Sequence, residues 1–289
     1  MSEKDYITSG SIAKKAREYA VEIAKTGMTH LELVEKVEAH IKKLGGHVGF
    51  PMDVSIDSTA AHATPSITDT HILEKGQVAK LDIGVHVNGH VTDTATTVEI
   101  GNTTKWKELI TAAHDAVKAG AEQAIPGGKI RNIGKAISQA IISAGFQPIT
   151  NLSGHGVGEW LVHCPPTIPN FDNENNNTLE EGQTIAIEPF ATTGVGSVKD
   201  GKPAGIYRLL QKKPVRIDSV RKVIDFIEKN YITLPFSPRW IKHLPNFQFA
   251  LRTLEQQDII KQYTELPESS GGMVSQAEVT VLVGKGIIT

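Results

Sequence analysis

The chain has 289 residues, 39% from the hydrophobic set and 21% charged, a globular composition that excludes a disordered polyelectrolyte. The formal net charge is −2 and no more than three hydrophobic residues are consecutive, so we expect no binding of DNA or other nucleic acid, no membrane span, no signal peptide and a cytoplasmic location. The single cysteine, Cys164, excludes an internal disulfide and a thiolate zinc site, which leaves oxygen and imidazole ligands for any metal.

The first predicted elements are two amphipathic helices. Apolar side chains recur at steps of four, three and four residues from Ile12 to Ile23, which places them on one helical face. Thr29 with Glu32 indicates a capping box at the start of the second helix, and Gly45 predicts its end. A strand-rich stretch follows.

The same order of two helices and then strands returns in the second half, which indicates an internal repeat. Residues 73–82 align with residues 179–188 at a constant offset of 106, with identical Leu, Glu, Gly and Gln, and an acid ends both segments. This acid at the same register predicts two pseudo-symmetric ligands, Asp82 and Glu188.

Residues 206–265 interrupt the second half with three predicted helices. We expect a helical subdomain inserted into a single catalytic domain that spans residues 1–289. The segment carries 11 Lys and Arg against 6 Asp and Glu. A solvated helical face explains this charge better than a nucleic-acid surface, and a weak ribosome contact is the partner that it would allow.

A hairpin carries the sharpest local signal. Asn88 and Gly89 between alternating apolar residues predict a two-residue type I′ turn, which places Asp93 opposite Gly84. Asp82 then shares a sheet face with Gly84, so the two aspartates are diagonal neighbours with backbones about 7–8 Å apart. Their carboxylates could converge on one or two ions, although this polar face could also simply face water.

Three further residues favour a metal site. His155 lies between two glycines, where backbone can approach a ligand closely. Glu188 and Glu278 lie in apolar strands, where an acid is costly unless it is paired or bound to metal. One imidazole among carboxylates suits Mn²⁺, Fe²⁺ or Co²⁺, with Zn²⁺ as a further candidate. Five ligands exceed the needs of one tetrahedral ion, so two divalent metal ions are expected.

The chain resembles the type II methionine aminopeptidases of the creatinase/aminopeptidase superfamily over nearly its whole length. The order and spacing of the motifs carry the resemblance: Ala61-His62-Ala63-Thr64-Pro65, Leu81-Asp82-Ile83-Gly84, Asp93, Gly154-His155-Gly156 with His163, Ile187-Glu188-Pro189 and Gln276-Ala277-Glu278. The resemblance implies an α+β pita-bread fold, with two pseudo-symmetric helix–helix–sheet halves around a central curved, mainly antiparallel sheet. The long segment between Glu188 and Glu278 resembles the helical insert of type II enzymes.

The resemblance also implies roles for individual residues. The ligands of the two metal ions would be Asp82, Asp93, His155, Glu188 and Glu278. Glu188 would double as the proton shuttle, with His62 and His163 as active-site histidines that contact substrate. An apolar pocket for methionine would be formed by Phe50, Val162, Ile206 and Tyr263.

The activity that the resemblance implies is removal of the initiator methionine from proteins and peptides, with preference for a small second residue. Two alternatives compete with it. A catalytically silent pita-bread binding protein would have a broken ligand set, whereas all five ligands are present here. A prolidase-like Xaa-Pro peptidase usually has an additional N-terminal domain, which we do not expect because the helices begin near Ser9.

One motif departs from the family pattern. Type II enzymes usually read Gln-Phe-Glu-His-Thr at the last ligand, whereas this chain reads Gln-Ala-Glu-Val-Thr over residues 276–280. The ligand Glu278 is retained. Ala277 and Val279 change its packing and remove a neighbouring histidine.

Overall fold

The computed structural model describes residues 3–101 and 103–289. The helices are α1 (Glu3–Ile23), α2 (His30–Lys43), α3 (Lys107–Glu122), α4 (Ile130–Ser143), α5 (Asp218–Asn230), α6 (Pro238–Ile241) and α7 (Phe247–Gln256). The strands are β1 (His47–Ile56), β2 (Thr59–Ala61), β3 (Val78–Val87), β4 (His90–Glu99), β5 (Gln147–Pro148), β6 (Ser153–Gly158), β7 (Leu161–Pro169), β8 (Thr184–Ile187), β9 (Phe190–Thr192), β10 (Pro203–Leu209), β11 (Ile260–Thr264), β12 (Leu266–Pro267), β13 (Val274–Gln276), β14 (Val279–Leu282) and β15 (Gly286–Ile287). Within the described ranges, no helix is long and apolar enough to cross a membrane.

The first half packs α1 and α2 against an antiparallel sheet of order β1-β3-β4. Their shared core contains Ile12, Ala16, Leu33, Val34, Val37, Ile41, Ile83 and Val85. Thr29 caps α2 by accepting a hydrogen bond from the backbone N–H of Glu32 at 3.0 Å. The predicted capping box is only half formed, because the Glu32 carboxylate pairs with Lys36 at 2.7 Å.

The second half repeats this arrangement. Helices α3 and α4 pack against an antiparallel sheet of order β15-β14-β8-β6-β7. Their core contains Ala113, Ile133, Ile137, Ile141, Ile185, Ile187 and Val281. The sequence prediction of two helix–helix–sheet halves is therefore confirmed.

The two halves join through the strands that carry the predicted acids. The Glu278 N–H donates to the carbonyl of Ala95 in β4 at 2.9 Å, and the Ala95 N–H donates back at 3.3 Å. The backbone N–H of Asp93 donates to the Thr280 hydroxyl at 2.8 Å. Asp93 from the first half and Glu278 from the second thus lie side by side.

The inserted segment is less helical than expected. Its ends form β10 and β11, which pair antiparallel, and α5, α6 and α7 lie between them around a separate apolar cluster. A buried ion pair attaches this segment to α2, with Arg239 donating to Glu38 at 2.8 Å and the Trp240 indole donating to the same carboxylate at 2.9 Å. The two strands carry Ile206 and Tyr263, two of the residues expected in the methionine pocket.

Candidate active site

The β3–β4 hairpin has the predicted register. Asn88 and Gly89 form the turn with φ of 51° and 85°, and Gly84 pairs with Asp93. Asp82 therefore lies on the same face as Asp93, while the intervening Ile83 packs in the helical core of the first half. The alternation of a strand thus presents both carboxylates to the space between the two halves.

His155 reaches the same space from β6, where it pairs with Ala186 of the neighbouring β8. The glycines beside it are needed for a reason other than the one expected. A Cβ at Gly154 would lie 2.2 Å from the Ala186 carbonyl oxygen, and one at Gly156 would lie 2.3 Å from the Pro165 carbonyl oxygen. These glycines let strands approach each other rather than a ligand.

The side chains of all five proposed ligands converge on one small volume. One ligand atom each from Asp93, His155 and Glu278 lies within 4.8 Å of the others. The His155 Nε2 atom is 3.5 Å from Glu188 Oε1 and 3.8 Å from Asp93 Oδ2. Asp82 lines the same cavity as these residues.

Gln276 links two proposed ligands, one from each half. Its Nε2 atom donates to Asp82 Oδ2 at 3.0 Å and to Glu278 Oε2 at 3.4 Å. The sequence analysis placed this glutamine in a family motif but assigned it no contact. Here it orients two carboxylates that come from opposite halves, as the neighbours of metal ligands commonly do.

The electrostatics of the cluster favour bound cations. Burial raises the pKa of Asp82 to about 6. Burial first, and then repulsion by the neighbouring carboxylates, raises the pKa values of Asp93, Glu188 and Glu278 well above the usual range. Burial lowers the pKa of His155 to about 4, so its ring is neutral near pH 7.

Unsatisfied atoms in the cluster point to the same need. Asp82 Oδ1, Asp93 Oδ1 and Glu278 Oε1 are buried and have no hydrogen-bond partner among the described residues. Buried carboxylate oxygens without a donor are costly. Divalent cations supply the missing positive charge and accept these lone pairs, so the donor set fits two hard or borderline metal ions.

His62 is held at two points. Its backbone has a left-handed φ of 64°, and its N–H donates to Asp53 Oδ2 at 2.8 Å. The ring Nδ1 atom lies 3.2 Å from the carbonyl oxygen of Thr264 in β11. Because a carbonyl only accepts, Nδ1 carries the proton, and because burial lowers the pKa of His62, the Nε2 atom is an unprotonated acceptor.

His163 stands beside the cluster on β7. Its ring centroid is 4.3 Å from that of His155. His163 is exposed at the cavity, but the cavity walls desolvate its ring. This desolvation lowers the pKa of His163, and electrostatic repulsion from the nearby His155 ring lowers it further. A neutral His163 ring offers one N–H donor and one acceptor near the carboxylates.

A cavity of about 220 Å³ opens in front of the cluster. Its wall includes every residue that the sequence analysis assigned to the methionine pocket: Phe50, Val162, Ile206 and Tyr263. Phe50 packs against Gly84, where a Cβ would come within 2.2 Å of its ring. Glycine at this position therefore leaves room for the Phe50 ring in the wall of the cavity.

Sequence reasoning missed several residues of this cavity, namely Asp53, Asn151, Leu152, Ser153, Phe190, Pro235 and Leu266. Asp53 is the most informative, because it is 3% exposed and pairs across the strand with Asp82. An acid within the apolar run of β1 is the same signal that singled out Glu188 and Glu278. That reasoning applied to β1 would have found Asp53.

Comparison with known proteins gives consistent matches. The profile of metallopeptidase family M24 matches residues 5–223. A protein from Archaeoglobus fulgidus named methionine aminopeptidase is 43% identical over 280 residues, which cover 97% of this chain and 94% of that protein. The structure of a thermophilic Arx1 is similar at a TM-score of 0.84 and 14% identity, covering 96% of this chain and 86% of that one. The methionine aminopeptidase of Rickettsia prowazekii is similar at a TM-score of 0.73 and 20% identity, covering 100% and 98% of the chains. At these identities the two structures show the shared fold alone.

Proposed function

The chain belongs to the methionine aminopeptidases of metallopeptidase family M24, which have the pita-bread fold, and from this premise we propose how its site works. The enzyme is a metallo-exopeptidase that removes N-terminal methionine from peptides and proteins. We propose that two divalent ions are held by Asp82, Asp93, His155, Glu188 and Glu278. The supporting observation is the convergence of these five side chains, with orphaned oxygens, at the cavity.

The choice of ion follows from the ligand chemistry. Four carboxylates and one imidazole suit Mn²⁺, Fe²⁺ or Co²⁺ best, and Zn²⁺ can also occupy such a set. When bound, the ions polarise the scissile carbonyl and make water acidic enough to act as a nucleophile near neutral pH. His155 supports this binding because its ring is already neutral and needs no deprotonation.

Three side chains perform the proton and hydrogen-bond chemistry. Glu188 accepts the proton of the attacking water on a carboxylate oxygen and passes it to the leaving amine nitrogen. His163 donates a ring N–H to the carbonyl oxygen as it becomes negative. His62 accepts the N–H of the scissile amide on its unprotonated Nε2 atom, because its Nδ1 proton is engaged by Thr264.

The walls of the cavity select the substrate. An apolar space is enclosed by Phe50, Val162, Ile206 and Tyr263. This space accepts the unbranched thioether side chain of methionine, whereas a charged side chain would lose its hydration there at a high free-energy cost. The second residue of the substrate lies next to His62, which leaves room for small side chains only. A free α-amine is required because its nitrogen lone pair would bind one of the ions, whereas an acylated nitrogen has no lone pair free to do so.

A peptide panel tests this specificity. We expect cleavage of Met-Ala-x, Met-Gly-x and Met-Ser-x with Mn²⁺, Fe²⁺ or Co²⁺, little cleavage of Met-Lys-x, and none of acetyl-Met-Ala-x or formyl-Met-Ala-x. Norleucine should remain a fair replacement for methionine, because one or two methylene-sized differences contribute only about 1–3 kcal/mol. Faster cleavage of Ala-Pro-x than of Met-Ala-x would favour a prolidase-like peptidase. Fewer than one ion per chain after reconstitution, with no cleavage, would favour a silent binding protein.

Burial of acids in the metal-free cluster has a measurable cost in stability. The folded state raises the pKa of Glu278 well above the ordinary carboxyl value of about 4, mainly by burial. As pH rises above the unfolded-state pKa, the unfolded chain releases this proton at pH values where the folded chain still holds it, so the folded state loses up to about 1.4 kcal/mol per pH unit until the folded-state pKa is reached. We therefore expect metal-free Glu278→Gln protein to melt above metal-free wild type, with a larger difference at pH 7.5 than at pH 5.

The buried histidines titrate in both proteins, so their contribution to the pH dependence of stability cancels when the two melting temperatures are compared. Differential scanning calorimetry after chelation measures the melting temperatures. Equal melting temperatures at pH 7.5, or a difference that shrinks as pH rises, would mean that Glu278 is not buried as an uncompensated acid.

Location and partners follow from the substrate. We propose that the enzyme acts in the cytoplasm, where translation produces chains that begin with methionine.

The segment 206–265 is proposed as a subdomain of one catalytic domain, and its basic surface as a weak ribosome contact. Co-sedimentation with ribosomes at low and high salt tests that contact, since an electrostatic contact weakens as salt rises.

A further inference from the structure

Asp53 is a buried acid of the cavity that the ligand set does not include. It lies in β1, directly across from Asp82, and is 3% exposed. One of its oxygens, Oδ2, accepts the His62 backbone N–H at 2.8 Å, while the other has no hydrogen-bond partner among the described residues. A buried carboxyl group at this position needs a functional reason, because an apolar side chain would pack in β1 at lower cost.

The contact between Asp53 and His62 occurs at a residue with an unusual backbone conformation. His62 has a φ of 64°, in the left-handed region that residues with a Cβ rarely adopt. Such a conformation persists when surrounding groups hold it. Asp53 is such a group, because its carboxylate accepts from the His62 N–H, and φ sets the direction of that N–H relative to the side chain of His62.

The imidazole of His62 is fixed separately, at its far end. Its Nδ1 atom lies 3.2 Å from the Thr264 carbonyl oxygen, and its ring meets that of Tyr263 edge to face at 5.2 Å. Both partners belong to β11 of the inserted segment. The ring direction therefore depends on two supports, one from β1 of the first half and one from the insert.

We propose that Asp53 is a positioning residue that acts through His62. It holds the His62 backbone in its left-handed conformation and thereby aims the imidazole Nε2 atom at the scissile amide. Without Asp53, relaxation of φ to a negative value would redirect the Cα–Cβ bond and turn the ring away from the cavity. This inference rests on the proposed role of His62 as the acceptor for the amide N–H.

A pair of substitutions at one position separates the hydrogen bond from the charge. Asp53→Asn retains an oxygen that can accept from the His62 N–H, whereas Asp53→Ala removes it. We expect Asp53→Ala to lower kcat on Met-Ala-x peptides by about 10²-fold, the scale for displacement of a reacting group by about 1 Å. We expect little change in KM, two bound ions per chain, and recovery of most activity in Asp53→Asn.

A double-mutant cycle tests whether the effect passes through His62. In a His62→Ala background there is no imidazole to aim, so adding Asp53→Ala should lower activity by no more than about twofold. Ser55→Ala is the matched control. Ser55 lies in β1, as Asp53 does, and its hydroxyl accepts a hydrogen bond at 3.4 Å from the N–H of Ala63, the residue after His62. It should remain within about twofold of wild type, and circular dichroism checks that each variant is folded.

Other outcomes overturn the inference. Loss of an ion in Asp53→Ala would make Asp53 a metal ligand, and losses that multiply with those of His62→Ala would make it act independently of His62. The proposed role of His62 fails in a different way, if His62→Ala itself retains wild-type activity, and the proposed function fails if the wild-type enzyme does not cleave Met-Ala-x. The two failures are therefore distinguishable in one set of four proteins.

Discussion

Asp82→Asn and Glu278→Gln should each remove bound metal and activity together while the protein remains folded. Both substitutions preserve side-chain size but remove a negative charge that the cations need. Asp82 and Glu278 also come from opposite halves, so each tests one side of the junction. Metal ions supply several kcal/mol of transition-state stabilisation, and each ~1.4 kcal/mol changes the rate tenfold, so we expect a loss of about 10³-fold or more.

Elemental analysis after reconstitution and dialysis, with kinetics on Met-Ala-x, measures both effects. Asp57→Asn is a suitable control, because Asp57 accepts the Val78 N–H at 2.9 Å just after the end of β1 and does not line the cavity. An asparagine there keeps the accepting oxygen, so metal content and activity should match wild type. Wild-type turnover with two ions in either ligand variant would refute the assignment of that ligand.

His62→Ala and His163→Ala should have the opposite signature: both ions retained, with kcat/KM reduced by about 10²–10³-fold, the cost of losing one hydrogen bond made in the transition state. Neither ring is required to hold a cation in the proposed scheme. His163 acts as a neutral donor and His62 as a neutral acceptor, since their surroundings lower the pKa of each ring.

The control for the histidine variants is His71→Ala. His71 is exposed and contacts Asp69 away from the catalytic cavity, so its loss should leave kinetics and metal content unchanged. Loss of an ion from His62→Ala or His163→Ala would mean that the ring is itself a ligand. Full activity in either variant would remove that histidine from the mechanism.

The hairpin shows what can be predicted from sequence without a known relative. The Asn88-Gly89 turn defines the register of β3 and β4, and the twofold alternation of a strand then places Asp82 and Asp93 on one face. Each step depends on residues close in sequence. The prediction was correct because local hydrogen bonds determine this geometry almost completely.

The remaining proposed ligands follow from the cost of burying an acid and from the resemblance to a family. Both arguments place Glu188 and Glu278 in a site, but neither measures how strands from two halves meet. The strands of the two halves meet at the backbone bridge between Ala95 and Glu278. It joins positions that are far apart in the sequence, so its formation depends on the packing of both helical cores rather than on any local pattern.

The sequence by itself determined the paired helices, the hairpin, the repeated acids and the candidate ligand set, because propensity, periodicity and burial cost are properties of short segments. Only the tertiary structure decided the parts that depend on distant contacts. The pairing of β10 with β11 closes the insert and carries Thr264 to the His62 ring. Asp53 reaches the His62 backbone only because β1 lies beside β3, and a left-handed φ at a histidine has no sequence signal of its own. Contacts of this kind are selected by the free energy of the whole fold, and they determine which nitrogen of the His62 ring binds Thr264.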